Sequence, residues 1–473
     1  MISTPLTPST PPAQPPAAPG PAETGPAGTP TPSAAASGGP RLKTTSLVLF
    51  GIAYMAPAVV LATFGVISAV SHASSASSYL LATAAMILTA ASYATLSRRY
   101  QLSGSAYSYV RRVLGSQVGF LSGWVLILDY LFLPMVIWLI GASFLTAQFP
   151  AVPMWVWIVV QALIVSTVNV FGIKLADRLN TVLLAFVAIV LVVFVALSFQ
   201  QWSLGAEPVS ALAPLWNADS SFLAISAGAA IAAYSFLGFD AITTLTGETQ
   251  HPKRSIPRAI ILTTLIMGAV FTVVSFASEL GASTTTITEQ DSAAFEIATH
   301  IGGNLLASAI VAALVLGGFA SAIAAQAGSS RLLLAMGRDG VLPRRFFGYV
   351  SPSRKTPVLN IALTGAIGLI ATQMTLATST SFINFGAFTA FTAVNVSAIV
   401  LAWRSGADDR WRTLKIIVAT LATVVTLYLL ISLDGHALLL GSAWLVIGVG
   451  YLAVLTRGFR QAPPELAIDS AAQ

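Results

Sequence analysis

Of the chain's 473 residues 56% are hydrophobic and only 8% charged, a balance that excludes an ordinary soluble domain. The net charge of +6 comes from Lys and Arg scattered over short segments, so it does not describe a nucleic-acid-binding face. The absence of cysteine removes disulfides and thiolate metal sites from consideration.

Residues 1–40 contain twelve of the 25 prolines, and Glu23 is their only charged side chain. A segment so poor in apolar surface cannot offset its ordering entropy, and a disordered tail is expected. It has no basic start followed by an apolar run, so it does not read as a secretory signal. From about residue 45 the chain reads as twelve apolar helices, at 45–70, 79–98, 118–146, 153–172, 180–199, 222–247, 258–280, 304–334, 358–374, 380–403, 413–432 and 438–456. Each approaches the roughly 20 residues that a hydrocarbon core ~30 Å thick requires.

Threaded with the amino terminus in the cytoplasm, these spans leave all 23 Lys and Arg on one side. Arg41 and Lys43 precede the first span, Lys253, Arg254 and Arg258 follow the sixth, and Arg457 and Arg460 follow the twelfth. Basic residues are retained on the cytoplasmic side, so both termini are expected there, in a multi-pass protein of the cytoplasmic membrane. Trp155, Trp157, Trp202 and Trp216 near the outer ends, with Trp403 and Trp411 near the inner ones, read as interfacial anchors in the lipid.

Two spans carry interruptions. The first holds Gly51-Ile52-Ala53-Tyr54-Met55-Ala56-Pro57, with proline in mid-membrane, and the sixth holds Ser235-Phe236-Leu237-Gly238-Phe239-Asp240. The sixth span enters from the opposite side to the first, and broken helices at matching places in two inverted halves point to a transporter's midplane site.

The same region holds the acids. Asp129 falls about 11 residues into the third span, or roughly 16 Å deep, and Asp240 is at a comparable level in the sixth. A charged aspartate at the centre of a span costs about 2.5–3.5 kcal/mol on insertion scales, so such residues are usually functional. No Lys or Arg is expected at that depth, which leaves a proton, a metal ion or a cationic substrate as neutraliser. With the helix broken at Gly238, Asp240 begins a new half-helix whose dipole favours its carboxylate form, suiting it to hold a substrate ammonium. Asp129, in mid-helix without that help, is the better place for a coupling proton or a second ammonium.

Glu248, before His251-Pro252-Lys253-Arg254, stands where a cytoplasmic gate ion pair could form. Glu296 and His300 read as an exposed helical pair, and Asn169, Asn180, Asn384 and Asn395 as hydrogen-bonding groups between helices. No metal-binding helix motif or nucleophile elbow is present, so no catalytic residue, metal or cofactor is assigned and an enzyme is not expected.

Several segments together resemble the amino acid–polyamine–organocation transporter superfamily. They are Gly104-Ser105-Ala106-Tyr107-Ser108-Tyr109, Gly238-Phe239-Asp240 through Glu248 to Pro252-Lys253-Arg254-Ser255-Ile256-Pro257-Arg258, and Met336-Gly337-Arg338-Asp339-Gly340-Val341-Leu342-Pro343. The likeness covers roughly residues 41–460. Within the superfamily, Gly51 to Pro57, Leu128-Asp129-Tyr130-Leu131-Phe132 and Ser235 to Ala241 resemble bacterial putrescine importers most. The resemblance implies an all-α polytopic membrane protein with a ten-helix, five-plus-five inverted-repeat (LeuT-like) core over 41–403. Helices 1 and 6 of that core would be broken, two peripheral helices would follow over 404–460, and 461–473 would form a cytoplasmic tail. It places Asp129, Tyr130, Tyr234, Ser235, Phe236, Gly238 and Asp240 at the substrate site with Ala53, Tyr54 and Met55, and makes Tyr234 an aromatic gate. Two departures stand out: Ala62 occupies a position where putrescine importers carry an acid, and Val187 one where some proton-coupled relatives carry lysine.

The expected function is secondary active import of putrescine or a related diamine, with a proton more than sodium as coupling ion. Paired acids and aromatic rings suit a small cation with two ammonium groups and no carboxylate. The alternative is a permease for cationic or neutral amino acids on the same fold, with half-helix N–H groups binding the carboxylate. No nucleic-acid partner is expected, and the sequence assigns no oligomeric state.

Overall fold

The computed structural model describes residues 41–463 apart from 103–104, 172–176, 205–209, 339–341 and 406–409. The expected tail over 1–40, most of the C-terminal tail, and Gly104, Lys174, Asp339, Gly340 and Val341 therefore lie outside the described residues, as does the side chain of Asn180.

Fifteen α-helices make up the described chain: α1 Thr44–Met55, α2 Val59–Val70, α3 Ser75–Arg99, α4 Ser105–Leu114, α5 Ser116–Gln148, α6 Met154–Phe171, α7 Asp177–Leu204, α8 Phe222–Ala232, α9 Pro252–Ala282, α10 Ala293–Arg338, α11 Arg344–Phe347, α12 Val358–Gly368, α13 Leu376–Arg404, α14 Arg412–Ile431 and α15 Gly435–Leu455. Short 3₁₀ segments include Ala233–Phe236 and Asp240–Glu248. Among the described residues ten spans are long and apolar enough to cross a membrane, one of them α8 with its 3₁₀ continuation to Glu248, and the bent α1–α2 pair makes an eleventh. The expected ninth span is the exception, because Val358–Gln373 is apolar but shorter. As one α-helix followed by a 3₁₀ turn at Leu369–Gln373, it covers roughly 26 Å of a ~30 Å core.

Pro57 breaks the first span, since its ring leaves no N–H to donate and obstructs the preceding turn. Ala56 takes a left-handed conformation (φ 47°), and α1 and α2 meet at a 50° bend. The sixth span breaks differently. It tightens from α to 3₁₀ at Ala233, extends at Leu237 (ψ 131°), and passes through Gly238 at φ 109° before winding again from Asp240. Carbonyls freed near the end of α8 need donors in an apolar setting. Asn384 of α13 supplies them, its Nδ2 donating to Ala230 O at 2.8 Å and Ile231 O at 3.4 Å.

Interhelical bonds of this kind recur. Asn169 donates to Ile323 O and Gln326, joining α6 to α10, and Asn395 donates to Thr89, joining α13 to α3. Trp124 of α5 and Trp444 of α15 stack at 4.9 Å and exchange indole N–H bonds to each other's backbone oxygens, fastening the last helix to the core. At the face where α1 begins, Leu42 N–H donates to Glu248 O at 2.8 Å and Gln250 N–H to Leu42 O at 3.1 Å. This isolated β-bridge joins the lead-in of the first span to the end of the sixth.

Candidate substrate site

The two breaks meet at Tyr54 and Gly238. A Cβ on Gly238 would run into the Tyr54 ring, with Cε1 only 2.7 Å away. Glycine is thus required twice, for its positive φ and for the close approach of the ring. Tyr54 lies near enough to both Asp129 and Asp240 to feel their charge, as does Tyr130, while Tyr234 feels Asp129. The structure therefore gathers Tyr54 of α1, Asp129 and Tyr130 of α5, and Tyr234 and Asp240 of the sixth span around one point.

Pro134 helps place the α5 pair. Four residues after Tyr130, it lacks the N–H that would have bonded Tyr130 O. Ser329 Oγ of α10 donates to that carbonyl instead, tying α10 to α5 beside the acids.

The two carboxylates are both half-buried but differently provided for. Asp240 Oδ2 accepts from Ser105 Oγ at 2.6 Å, and the backbone N–H groups of the turn at Gly238–Ala241 lie close to this side chain. Asp129 Oδ1 is sealed from solvent without a hydrogen-bond partner among the described residues. The charge acting on Asp129 is that of Asp240. No Lys or Arg forms an ion pair with either acid among the described residues.

Beside this cluster is a cavity of ≈ 330 Å³ lined by Phe50, Ala53, Tyr54, Met55, Val187 and Tyr234 among others. Neither carboxylate lines it, and Tyr54 and Tyr234 are shared by the cavity and the acids. These two residues border both the cavity and the acids.

Other residues expected at the site lie elsewhere. Ser235 is 1% exposed and bonds Tyr79 Oη at 3.0 Å, and Tyr79 in turn bonds Thr63 at 2.8 Å. Phe236 is fully buried, edge-on to Phe271 at 5.2 Å. Both side chains are turned into packing with neighbouring helices. Glu248 has an exposed side chain, and its contact with the first span is made by its backbone carbonyl. Glu296 does not pair with His300; it accepts from Thr288 N–H at 2.8 Å and Glu289 N–H at 2.9 Å, while His300 faces Gln201.

Sequence reasoning missed two groups. Ser105 gave no signal beyond its place in a motif. Glu279, near the end of α9, is a third buried acid, 6% exposed. It accepts from Ser68 Oγ at 3.0 Å and from Ser75 N–H at the start of α3 at 3.3 Å, a favourable place for a carboxylate at a helix N-terminus. With its acceptors filled and no contact with the cavity, it is a structural strut between α2, α3 and α9. Glu279→Leu is expected to destabilise the protein by about 2–4 kcal/mol, since it strands two buried donors, whereas Glu279→Gln keeps an acceptor and most of the stability. Thermal unfolding in detergent measures both.

The sequence profile of the family described as amino acid permease matches residues 46–451. The chain belongs to that family. The low-affinity putrescine importer PlaP of Escherichia coli (strain K12) is 35% identical over 429 residues, covering 89% of this chain and 94% of its own. The probable low-affinity putrescine importer PlaP of Klebsiella pneumoniae is 44% identical over 151 residues, 31% of this chain and 76% of its own. The branched-chain amino acid permease BcaP of Bacillus subtilis (strain 168) is 25% identical over 406 residues, 79% of this chain and 83% of its own. This permease is accordingly a multi-pass transporter of the cell membrane and not an enzyme.

Proposed function

We propose that the chain imports putrescine or a closely related diamine in symport with protons. The observation that carries this reading is the Asp129–Asp240 pair, walled by Tyr54, Tyr130 and Tyr234 and without a basic partner among the described residues. Two nearby carboxylates repel each other in a low-dielectric setting, and a dication relieves that repulsion as no zwitterion does. The likeness to the Escherichia coli putrescine importer supports the same substrate class.

In this reading Asp240, oriented by its donors, holds one ammonium group, and Asp129 takes the other or carries a proton when the site is empty. Tyr54 and Tyr234 close the site toward the cavity. The distribution of Lys and Arg supports a cytoplasmic position for the face bearing Leu42 and Thr249, where Glu248 takes part in the closure through its carbonyl. Apolar Val187 lines the cavity, which leaves the aspartates as the coupling groups near the site.

One observation favours an amino-acid substrate instead: the likeness to the branched-chain amino acid permease. In that case N–H groups at the two breaks would bind the substrate carboxylate. Labelled-putrescine uptake into proteoliposomes separates the two. Excess unlabelled putrescine is expected to abolish uptake, leucine and arginine to leave it unchanged, and an inward proton gradient to raise it. No uptake of labelled putrescine, together with uptake of labelled leucine that putrescine leaves unchanged, would establish the alternative.

A further inference from the structure

Ser105 opens α4 with a left-handed backbone, φ 51°, and is 5% exposed. A residue with a Cβ is strained in that conformation where glycine is not. Such strain persists where the surroundings demand the side chain, and it clusters at functional sites. The demand here is visible: Ser105 Oγ donates to Asp240 Oδ2 at 2.6 Å, a length typical of hydroxyl-to-carboxylate bonds. The hydroxyl of Tyr93, fully buried, lies beside Ser105 without reaching hydrogen-bond geometry with any described group. Tyr93, Phe239 and Phe391 meet one another at 5.3–6.1 Å, so this flank of Asp240 is rigid.

Resting on the diamine reading, we propose that Ser105 is a positioning residue of the transport site. Its hydroxyl fixes the Asp240 carboxylate in the orientation that receives a substrate ammonium, and the left-handed backbone is kept for the sake of that bond. Ser105 touches no substrate itself. The first span contributes nothing to this bond, so Ser105 brings the α4 segment into a site otherwise built from the first, third and sixth spans.

A serine retained for packing alone and one retained for Asp240 respond oppositely to Ser105→Gly, which relieves the backbone and deletes the hydroxyl. On purified full-length protein, this variant is expected to melt no lower than wild type, to bind putrescine about tenfold more weakly, and to show the same rise in KM with Vmax within about twofold. Ser105→Ala keeps the Cβ and guards against misfolding of the glycine variant, and it is expected to weaken binding equally. In an Asp240→Ala background there is no bond left to lose, so Ser105→Gly should raise the melting temperature by more than it does in wild type. Unchanged putrescine affinity in both Ser105 variants overturns the proposal, as does an identical melting shift in the two backgrounds. Wild-type protein that ignores putrescine overturns the diamine reading. The melting cycle uses no substrate and still decides whether Ser105 and Asp240 are coupled.

Discussion

Replacing Asp129 by asparagine is expected to lower putrescine uptake by about two to three orders of magnitude while leaving the protein at least as stable as before. The two halves have one cause. Asp129 Oδ1 is buried without a donor, so the empty site bears the desolvation of this group with nothing fixed to offset it. An amide of the same shape cannot ionise and so lightens that burden, and it also removes the counter-charge for the cargo. The paired variant behaves differently. Asp240 accepts from Ser105 Oγ and lies close to backbone N–H groups, and the amide nitrogen of Asp240→Asn would confront those donors. That variant is expected to lose both uptake and melting temperature. Proteoliposome uptake and thermal unfolding of the two proteins check the contrast. Normal transport by Asp129→Asn would remove the carboxylate from the mechanism, and a marked loss of its stability would make Asp129 a structural residue.

Gly238→Ala is expected to abolish transport and to destabilise the fold by about 1–3 kcal/mol from backbone strain alone, before any clash is counted. At φ 109° no L side chain sits comfortably, and the new methyl would strike the Tyr54 ring. Because Tyr54 packs on Gly238 where the two breaks meet, displacing it disturbs both acids' surroundings together. Combining Gly238→Ala with Tyr54→Ala removes the clash but not the strain, so the double variant should recover part of the lost stability and none of the uptake. Additive effects would mean that the ring and the glycine do not act on each other.

The spans were legible because long apolar windows carry their own signal, and the breaks because Pro57 and the Gly238–Asp240 step contradict a continuous helix. Asp129 and Asp240 announced themselves as charges in apolar surroundings, and the family's profile and relatives support the transporter reading drawn from them. Side-chain direction near the sixth break was not legible. Residues from Ala233 to Phe236 wind at 3₁₀ pitch, about 20° more per residue than an α-helix, and Ser235 and Phe236 rotate into packing while Tyr234 stays at the wall. Ser105 was hidden because a left-handed serine looks like any other serine in a string of letters. Glu279 was hidden because an acid near the end of an apolar run resembles a solvated one until its neighbours are known. The ninth span falls where it was expected, at Val358–Gln373, but with 16 residues it stays shorter than the other candidate spans.

The backbone rungs between Leu42 and the stretch from Glu248 to Gln250 add a crossbar between two arms that already touch at Tyr54 and Gly238. With breaks at Pro57 and Gly238, the two segments are expected to move together on that side. Cutting the rungs is expected to let them move apart and to raise substrate-independent leak in proteoliposomes.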